Sequence, residues 1–442
     1  MRRPVAFAMI LVLLAALVAR LAAAWWWESR PAGRFFFGDS ESYWVLGRAI
    51  AHGGPYEYGS PEARVFRAPG YPFLLAPLFV LGRDNPPVRW ARLLGAVLGT
   101  ATVGGVGWMA WRLFGGRAGL AAAAIVAFEP GAVAMSVMVL SEALFCPLMV
   151  LHLALWMAAS FSPEPTATAG AAHHARRRWL RAKQYLPAAA GIAAGAAALT
   201  RPSWLLFTQM AILAGLFVSG ERKRQLAIGA IMLLGMAAAM APWWIRNYRV
   251  IGRFVPTTLQ VGASLYDGWN PKATGASDLS FVEQFASYER ARQVGVAGEQ
   301  LPFEYRLDRR LRSEAVAWAC ENPGRAVQLA AVKFLRIWNI LPNEPVLSAW
   351  PIRLAVLVTY VPIAFLAALS AVRTVLWGWP YVLCWLPAVY FTAIHMVFVG
   401  SIRYRVPAML MLAVLAGGVI GGGIAEGRRE KGEGRGENRG SQ

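Results

Sequence analysis

The sequence predicts an all-α polytopic membrane protein with about ten transmembrane helices, interfacial helices in its first outer loop and a mostly helical outer segment. Three observations carry that prediction. Of 442 residues, 57% are hydrophobic and only 15% charged, more apolar surface than an aqueous globule can hide. The apolar residues come in long runs, and about 20 of them suffice to cross the hydrocarbon as a helix. Lys and Arg outnumber Asp and Glu by 44 to 24, and several of these cations sit in short connections between the runs rather than in one patch. That placement follows the positive-inside rule and argues against nucleic acid as a partner.

The opening "MRRPVAFAMILVLLAALVARLAAAWWW" has the basic start of a signal peptide, but its run is long and ends in a tryptophan belt, so it reads as a retained anchor helix. Further spans are expected at 93–111, 118–138, 143–160, 185–200, 203–219, 226–244, 352–371, 376–399 and 406–425. The proline-containing run at 71–82 and the charged run at 326–341 look interfacial or re-entrant.

With Arg2 and Arg3 cytoplasmic, the same side receives Arg112, Arg117, "HHARRRWLRAK", "ERKR", Arg373 and the tail "GRREKGEGRGENRG". Both termini are then inside. The loop 28–92, the hinge near 135–142 and the segment from 245 to about 328 are outside. This divides the chain into an N-terminal transmembrane module (1–244, including the first outer loop), an outer segment (245–328), a C-terminal part (329–425) and a disordered basic tail (426–442). In the outer segment, Leu307, Leu311, Ala315 and Trp318 recur at helical spacing. Cys146, Cys320 and Cys384 lie far apart and suggest no disulfide framework, and the five histidines show no ligand spacing.

"FFFGDSESYW" places Asp39 and Glu41 just outside the first span. Asp39 suits the cap of a helix over residues 40–50, with Val45, Leu46, Ala49 and Ile50 as its apolar stripe; Glu41 suits a solvated first turn. Glu142, in "MVLSEALFCPL", fits a helix first turn, yet a carboxylate among so many apolar residues is costly unless partnered and is a functional candidate. Glu129 is a weaker case, at an interface where Pro130 bends or ends its helix.

Arg67, Arg201, Arg246, Arg249, Arg403 and Arg405 all adjoin predicted outer helix ends. Singly, each reads as an interface anchor whose guanidinium reaches the headgroups. Converging, they would form a pocket for an anion, because the guanidinium fork matches phosphate oxygens, and a lipid-borne phosphate arrives at that depth. An acid that accepts a proton, a second acid and phosphate-holding arginines are the parts of transfer from a lipid phosphate. No soluble nucleotide motif competes: "TVGGVGW" lies inside a span, and there is no "GxxxxGK" or "GxSxG".

An ordered set of stretches resembles the membrane-embedded C-type glycosyltransferases, in the group that includes protein O-mannosyltransferases and the lipid A aminoarabinose transferase. The stretches are "GDSESYWVLGRAI", "RAPGYPFLLAPL", "EPGAVAMSVMVLSEALF", "ALTRPSWLL", "PWWIRNYRVIGRFVPTT", "DGWNPKATG" and "IRYRVPAMLMLAVLAG". The resemblance implies a polyprenyl-phosphate sugar donor, a lipid, glycan or protein acceptor, a periplasm-facing site in the inner membrane and an inverting hexosyl or pentosyl transfer. It carries the acid of the first loop onto Asp39, as base or acceptor-orienting group, and that of the second loop onto Glu142. Arg67, Arg201, Arg246 and Arg403 are the donor-phosphate candidates. Protein O-mannosyltransferases often have adjacent Asp and Glu in this loop; here Ser40 intervenes, which argues against a protein acceptor. The paired acids leave room for a divalent metal without demanding one. The rivals are a transporter or flippase for a lipid-linked headgroup, which would use the same charges as a gate, and a non-enzymatic assembly protein.

Overall fold

The computed structural model describes residues 3–29, 35, 37–82, 85–161, 171–293, 301–340 and 349–422, with side chains left aside at 171–183 and 292–293. Among these residues it is helical throughout, with no strand. The helices are α1 (Arg3–Glu28), α2 (Gly38–Ala51), α3 (Gly70–Leu81), α4 (Val88–Phe114), α5 (Gly116–Phe128), α6 (Pro130–Val137), α7 (Glu142–Ser160), α8 (Ala171–Thr200) and α9 (Phe207–Val218). They continue with α10 (Arg222–Ile251), α11 (Val261–Gly268), α12 (Val282–Gln293), α13 (Phe303–Glu321), α14 (Pro323–Ile337), α15 (Trp350–Thr374), α16 (Val382–Val397) and α17 (Val406–Ile420).

Among the described residues, six helical segments are long and apolar enough to cross a membrane: Arg3–Glu28, Val88–Phe114, Glu142–Ser160, Arg222–Ile251, Trp350–Trp377 and Ile402–Ile420. The pair α5 and α6, bent by 59°, makes a seventh if it counts as one broken span. The bend falls where Pro130 lacks the N–H that would have bonded the carbonyl four residues back, that of Val126. Arg20 on α1 fills this gap. Its guanidinium is buried and donates to Val126 O, Ala127 O and Ala16 O, each at 3.1 Å.

The largest apolar cluster draws on α1, α4, α5, α7, α8, α9, α10, α15, α16 and α17, so helices from both ends of the chain share one core. Helix α8 packs between α7 and α10. Its approach to α10 requires glycine: a Cβ at Gly191 would lie 2.0 Å from Met232 O. Small residues let helices in lipid approach this closely.

Outside the spans, α2 and α3 pack through Tyr43, Trp44, Tyr71, Leu75 and Phe79. The buried face of α2 includes Tyr43, Trp44, Leu46 and Gly47; of the expected stripe Val45, Leu46, Ala49 and Ile50, Leu46 is buried, Ala49 and Ile50 are half-buried and Val45 is 41% exposed. The amphipathic helix expected between 245 and 328 is α13, with Leu311 and Ala315 buried on the helix that packs against α11. The two doubtful runs are the short helices α3 and α14. The expected disordered tail lies outside the described residues.

Candidate functional site

Three chain breaks bring the charges together. Helix α8 ends before Pro202, leaving Arg201 extended at φ −140°. Glu142 opens α7 directly after the turn at 138–141, and Arg403 sits in the turn Ile402–Arg405 that precedes Pro407 at the start of α17. A fourth element, the loop 52–69, carries Arg67. Tyr56 Oη donates to Arg67 O and Ala68 O at 3.2 Å, and Leu259 N donates to Val65 O at 3.0 Å. Glu304 of α13 accepts from Arg64 N at 2.9 Å and from Val65 N, so α13 holds the same loop.

The result is one chain of alternating charges. Arg67 Nη2 donates to Asp39 Oδ1 at 2.7 Å, and Arg403 Nη1 to Asp39 Oδ2 at 3.1 Å. Arg403 continues to Glu142, with Nε on Oε1 at 2.5 Å and Nη2 on Oε2 at 3.0 Å. Arg201 Nη1 makes ion contact with Glu142 Oε1 at 2.6 Å, off the line of a good hydrogen bond. Ser141 Oγ donates to Glu142 Oε2 at 3.2 Å. Three arginines thus face two carboxylates, an excess of one positive charge.

Asp39 is not the helix cap. Phe37 occupies that position, with no side-chain bond to the first turn, because the Asp39 carboxylate is drawn to two guanidinium groups instead. Burial alone would raise the Asp39 carboxyl, but Arg67 and Arg403 more than offset it and hold it below the ordinary range. Glu41 is exposed, as expected.

Two cavities, of about 740 Å³ and about 410 Å³, meet at this cluster; Asp39, Arg67, Val399, Arg403 and Tyr404 line both. The larger is walled by α6, α15 and α17 residues such as Met135, Met138, Ile352, Val356 and Met409, with Glu129, Arg336 and Arg405 as further charges. The smaller takes in Arg201, Arg312, Thr257, Thr258, Gln260, Ser264 and His395.

The structure therefore brings Asp39, Glu142, Arg67, Arg201 and Arg403 together and leaves Arg246 apart. Arg246 Nη1 donates to Arg64 O at 2.7 Å, and its guanidinium lies over Trp243 at 4.8 Å and Tyr56 at 5.4 Å, lining neither cavity. It braces the loop that carries Arg67. Glu142, expected as a second catalytic acid, has a fully buried side chain, also lines neither cavity and is engaged by Arg201 and Arg403. Glu129 caps α6, accepting from Ala132 N at 2.5 Å. Sequence reading missed Gln260, which accepts from Arg67 Nη1 at 3.2 Å, and His395; neither lies in a recognisable pattern. Tyr404 was within sight, between the two arginines of "IRYR".

Among the described residues no group of three or more His, Cys, Asp or Glu side chains comes together around a cation. A divalent ion at Asp39 or Glu142 would have to displace guanidinium groups from both, which the present donor set does not favour.

Neither a protein-family model nor a curated protein matches the chain. Solved structures do. The oligosaccharyltransferase of Archaeoglobus fulgidus in the apo form aligns with a TM-score of 0.56 at 15% identity, covering 94% of this chain and 50% of that one. AglB from the same archaeon, in complex with an inhibitory peptide and a dolichol-phosphate, gives 0.54 at 15% identity with the same coverage. ArnT from Cupriavidus metallidurans bound to undecaprenyl phosphate gives 0.43 at 17% identity, over 93% of this chain and 77% of that one. The chain spans about half the length of the archaeal structures it matches. The likeness is one of fold: the helices are arranged as in the archaeal oligosaccharyltransferase.

Proposed function

We propose that the protein is a glycosyltransferase moving a sugar from a polyprenyl-phosphate donor to an acceptor hydroxyl at the periplasmic face of the inner membrane. The observation that carries this reading is the position of Asp39, a carboxylate held by two arginines where two cavities meet. The smaller cavity is lined by Arg67, Arg201 and Arg403 together and suits the donor phosphate. The larger, with its apolar wall, suits the acceptor.

In a single displacement, the acceptor oxygen bonds to the anomeric carbon as the bond to the phosphate oxygen breaks, and the configuration inverts. The phosphate leaves with the electron pair and is stabilised by the arginines. The acceptor proton goes to Asp39. With Arg67 and Arg403 on its two oxygens that carboxylate is a weak base, because they hold it ionised. A donor phosphate competes for the same guanidinium groups and adds negative charge nearby, and both effects restore the basicity of Asp39. Glu142 acts through Arg201 and Arg403, as the counter-ion that fixes their forks.

We further propose about ten crossings, in which the short apolar helices Pro202–Val218 and Val382–Val397 and the second half of α8 join the six or seven longer spans, with both termini cytoplasmic as the placement of loop cations suggests. The expected module boundaries at 244 and 328 fall within α10 and α14, and 425 lies outside the described residues. The test is incubation of the reconstituted protein with polyprenyl-phosphate hexoses and pentoses, scoring release of polyprenyl phosphate. Headgroup translocation without release would instead identify a flippase. Cysteine labelling that puts position 39 on the side of the amino terminus would overturn the proposal.

A further inference from the structure

His395, near the outer end of α16, lines the 410 Å³ cavity and is only 6% exposed. Its Nδ1 lies 3.2 Å from Val399 O. A carbonyl oxygen only accepts, so Nδ1 carries the hydrogen; in the neutral ring this leaves Nε2 as a bare lone pair. The ring plane is fixed by stacking on Tyr404, at 4.2 Å and 5°, with Phe391 near parallel at 6.4 Å. Nε2 itself finds no hydrogen-bond partner among the described residues. A buried acceptor left unsatisfied is unfavourable, and such groups normally have an explanation.

His152 provides the contrast. It is also buried with an unpartnered Nε2, but its neighbours are Trp156, Trp204 and Phe207, and it lines neither cavity. It is a core histidine. His395 instead shares its cavity with Arg67, Arg201, Arg312 and Arg403. Guanidinium groups only donate, so they complement phosphate oxygens. The phosphate oxygens of a glycosyl phosphodiester, which carries one negative charge and no P–OH hydrogen at neutral pH, would meet the Nε2 lone pair with lone pairs of their own. The ligand group that complements Nε2 is a donor, and beside a glycosyl phosphate that donor is a sugar hydroxyl.

We propose that His395 Nε2 accepts a hydrogen bond from a hydroxyl of the donor's sugar, so that the arginines hold the phosphate while this histidine selects the glycosyl group. The proposal rests on the reading of the smaller cavity as the donor site. A pocket built to pair a hydroxyl discriminates strongly against the analogue that lacks it, because its own polar group is then left unpaired.

The test uses the full chain in detergent or nanodiscs, with bare polyprenyl phosphate and a panel of polyprenyl-phosphate hexoses and pentoses, each with its single-deoxy analogues. His395→Phe keeps the ring stack and removes the acceptor. The expected result is unchanged binding of bare polyprenyl phosphate and a loss of about tenfold or more for the sugar-bearing donor. On the wild type, one deoxy analogue shows the same loss, and on the variant that analogue loses nothing further. His395→Gln, which offers an amide oxygen, recovers part of the binding and replaces the Phe variant should that one not fold. Equal binding of every sugar-bearing donor by wild type and variant overturns the proposal, as does parallel loss of bare polyprenyl phosphate. If Arg201→Ala leaves bare polyprenyl phosphate binding intact, the donor-site reading falls first and this inference with it.

Discussion

Arg403 Nη1 lies 3.1 Å from Asp39 Oδ2, although the two residues are 364 positions apart in the chain. Through its other nitrogens the same guanidinium holds Glu142, so one side chain from the turn before α17 joins the start of α2 to the start of α7.

Asp39→Asn is expected to lower kcat by about a hundredfold or more, the usual scale for removing a positioned proton acceptor. Donor binding should not weaken, because Arg67 and Arg403 lose a competitor for the phosphate. Release of polyprenyl phosphate at saturating donor measures the first effect and equilibrium binding the second. Near-full turnover would remove Asp39 from the mechanism.

Arg201→Ala is expected to raise the donor KM by about tenfold or more, as for a lost charge-assisted contact. Arg246→Ala should change thermal stability more than donor KM, since Arg246 bonds Arg64 O and stacks on Trp243. Steady-state kinetics on the two variants separates them, and the reverse ranking would return Arg246 to the phosphate site.

Glu142→Gln leaves Arg201 and Arg403 without their buried counter-ion. Breaking a buried pair in this way costs about 3–5 kcal/mol, more than a surface substitution does. Unfolding in micelles should show a lower midpoint, and a wild-type midpoint would contradict the counter-ion role.

Burial pushes the Glu304 carboxyl up to about 7, against the partial opposition of the Val65 and Arg64 N–H groups. The folded protein thus holds this proton more tightly than the unfolded chain, whose value is 4.5. The stability it contributes is fully present below 4.5 and is lost as pH rises through 7. The unfolding temperature should fall across this window, and less steeply in Glu304→Gln. Identical pH profiles would show that the group does not titrate with folding.

Arg20→Met strands the carbonyls of Val126 and Ala127 inside the bundle and should lower the unfolding midpoint. In a Pro130→Ala background residue 130 regains an N–H that can reach Val126 O, so the loss from Arg20→Met should be smaller. A double-mutant cycle measures the coupling, and strict additivity would mean that Arg20 does not substitute for the missing donor.

The sequence by itself determined the solvent, the helical architecture and the neighbourhood of the site. Apolar runs in lipid leave the backbone little alternative to helices, and Pro130 and Pro202 mark where those helices stop. Asp39, Glu142, Arg67, Arg201 and Arg403 were legible because charges at the ends of apolar runs are costly unless used. Tertiary structure alone decided which of them meet. It paired Asp39 with two arginines rather than with its own helix, walled off Glu142, turned Arg246 toward Arg64 and left His395, on the wall of the arginines' cavity, with an unpaired buried ring nitrogen. Hydropathy and spacing act along the chain and report where a residue lies relative to the membrane. Ion pairs and orphaned lone pairs depend on which distant segments pack together within a few ångströms, and no local pattern encodes that.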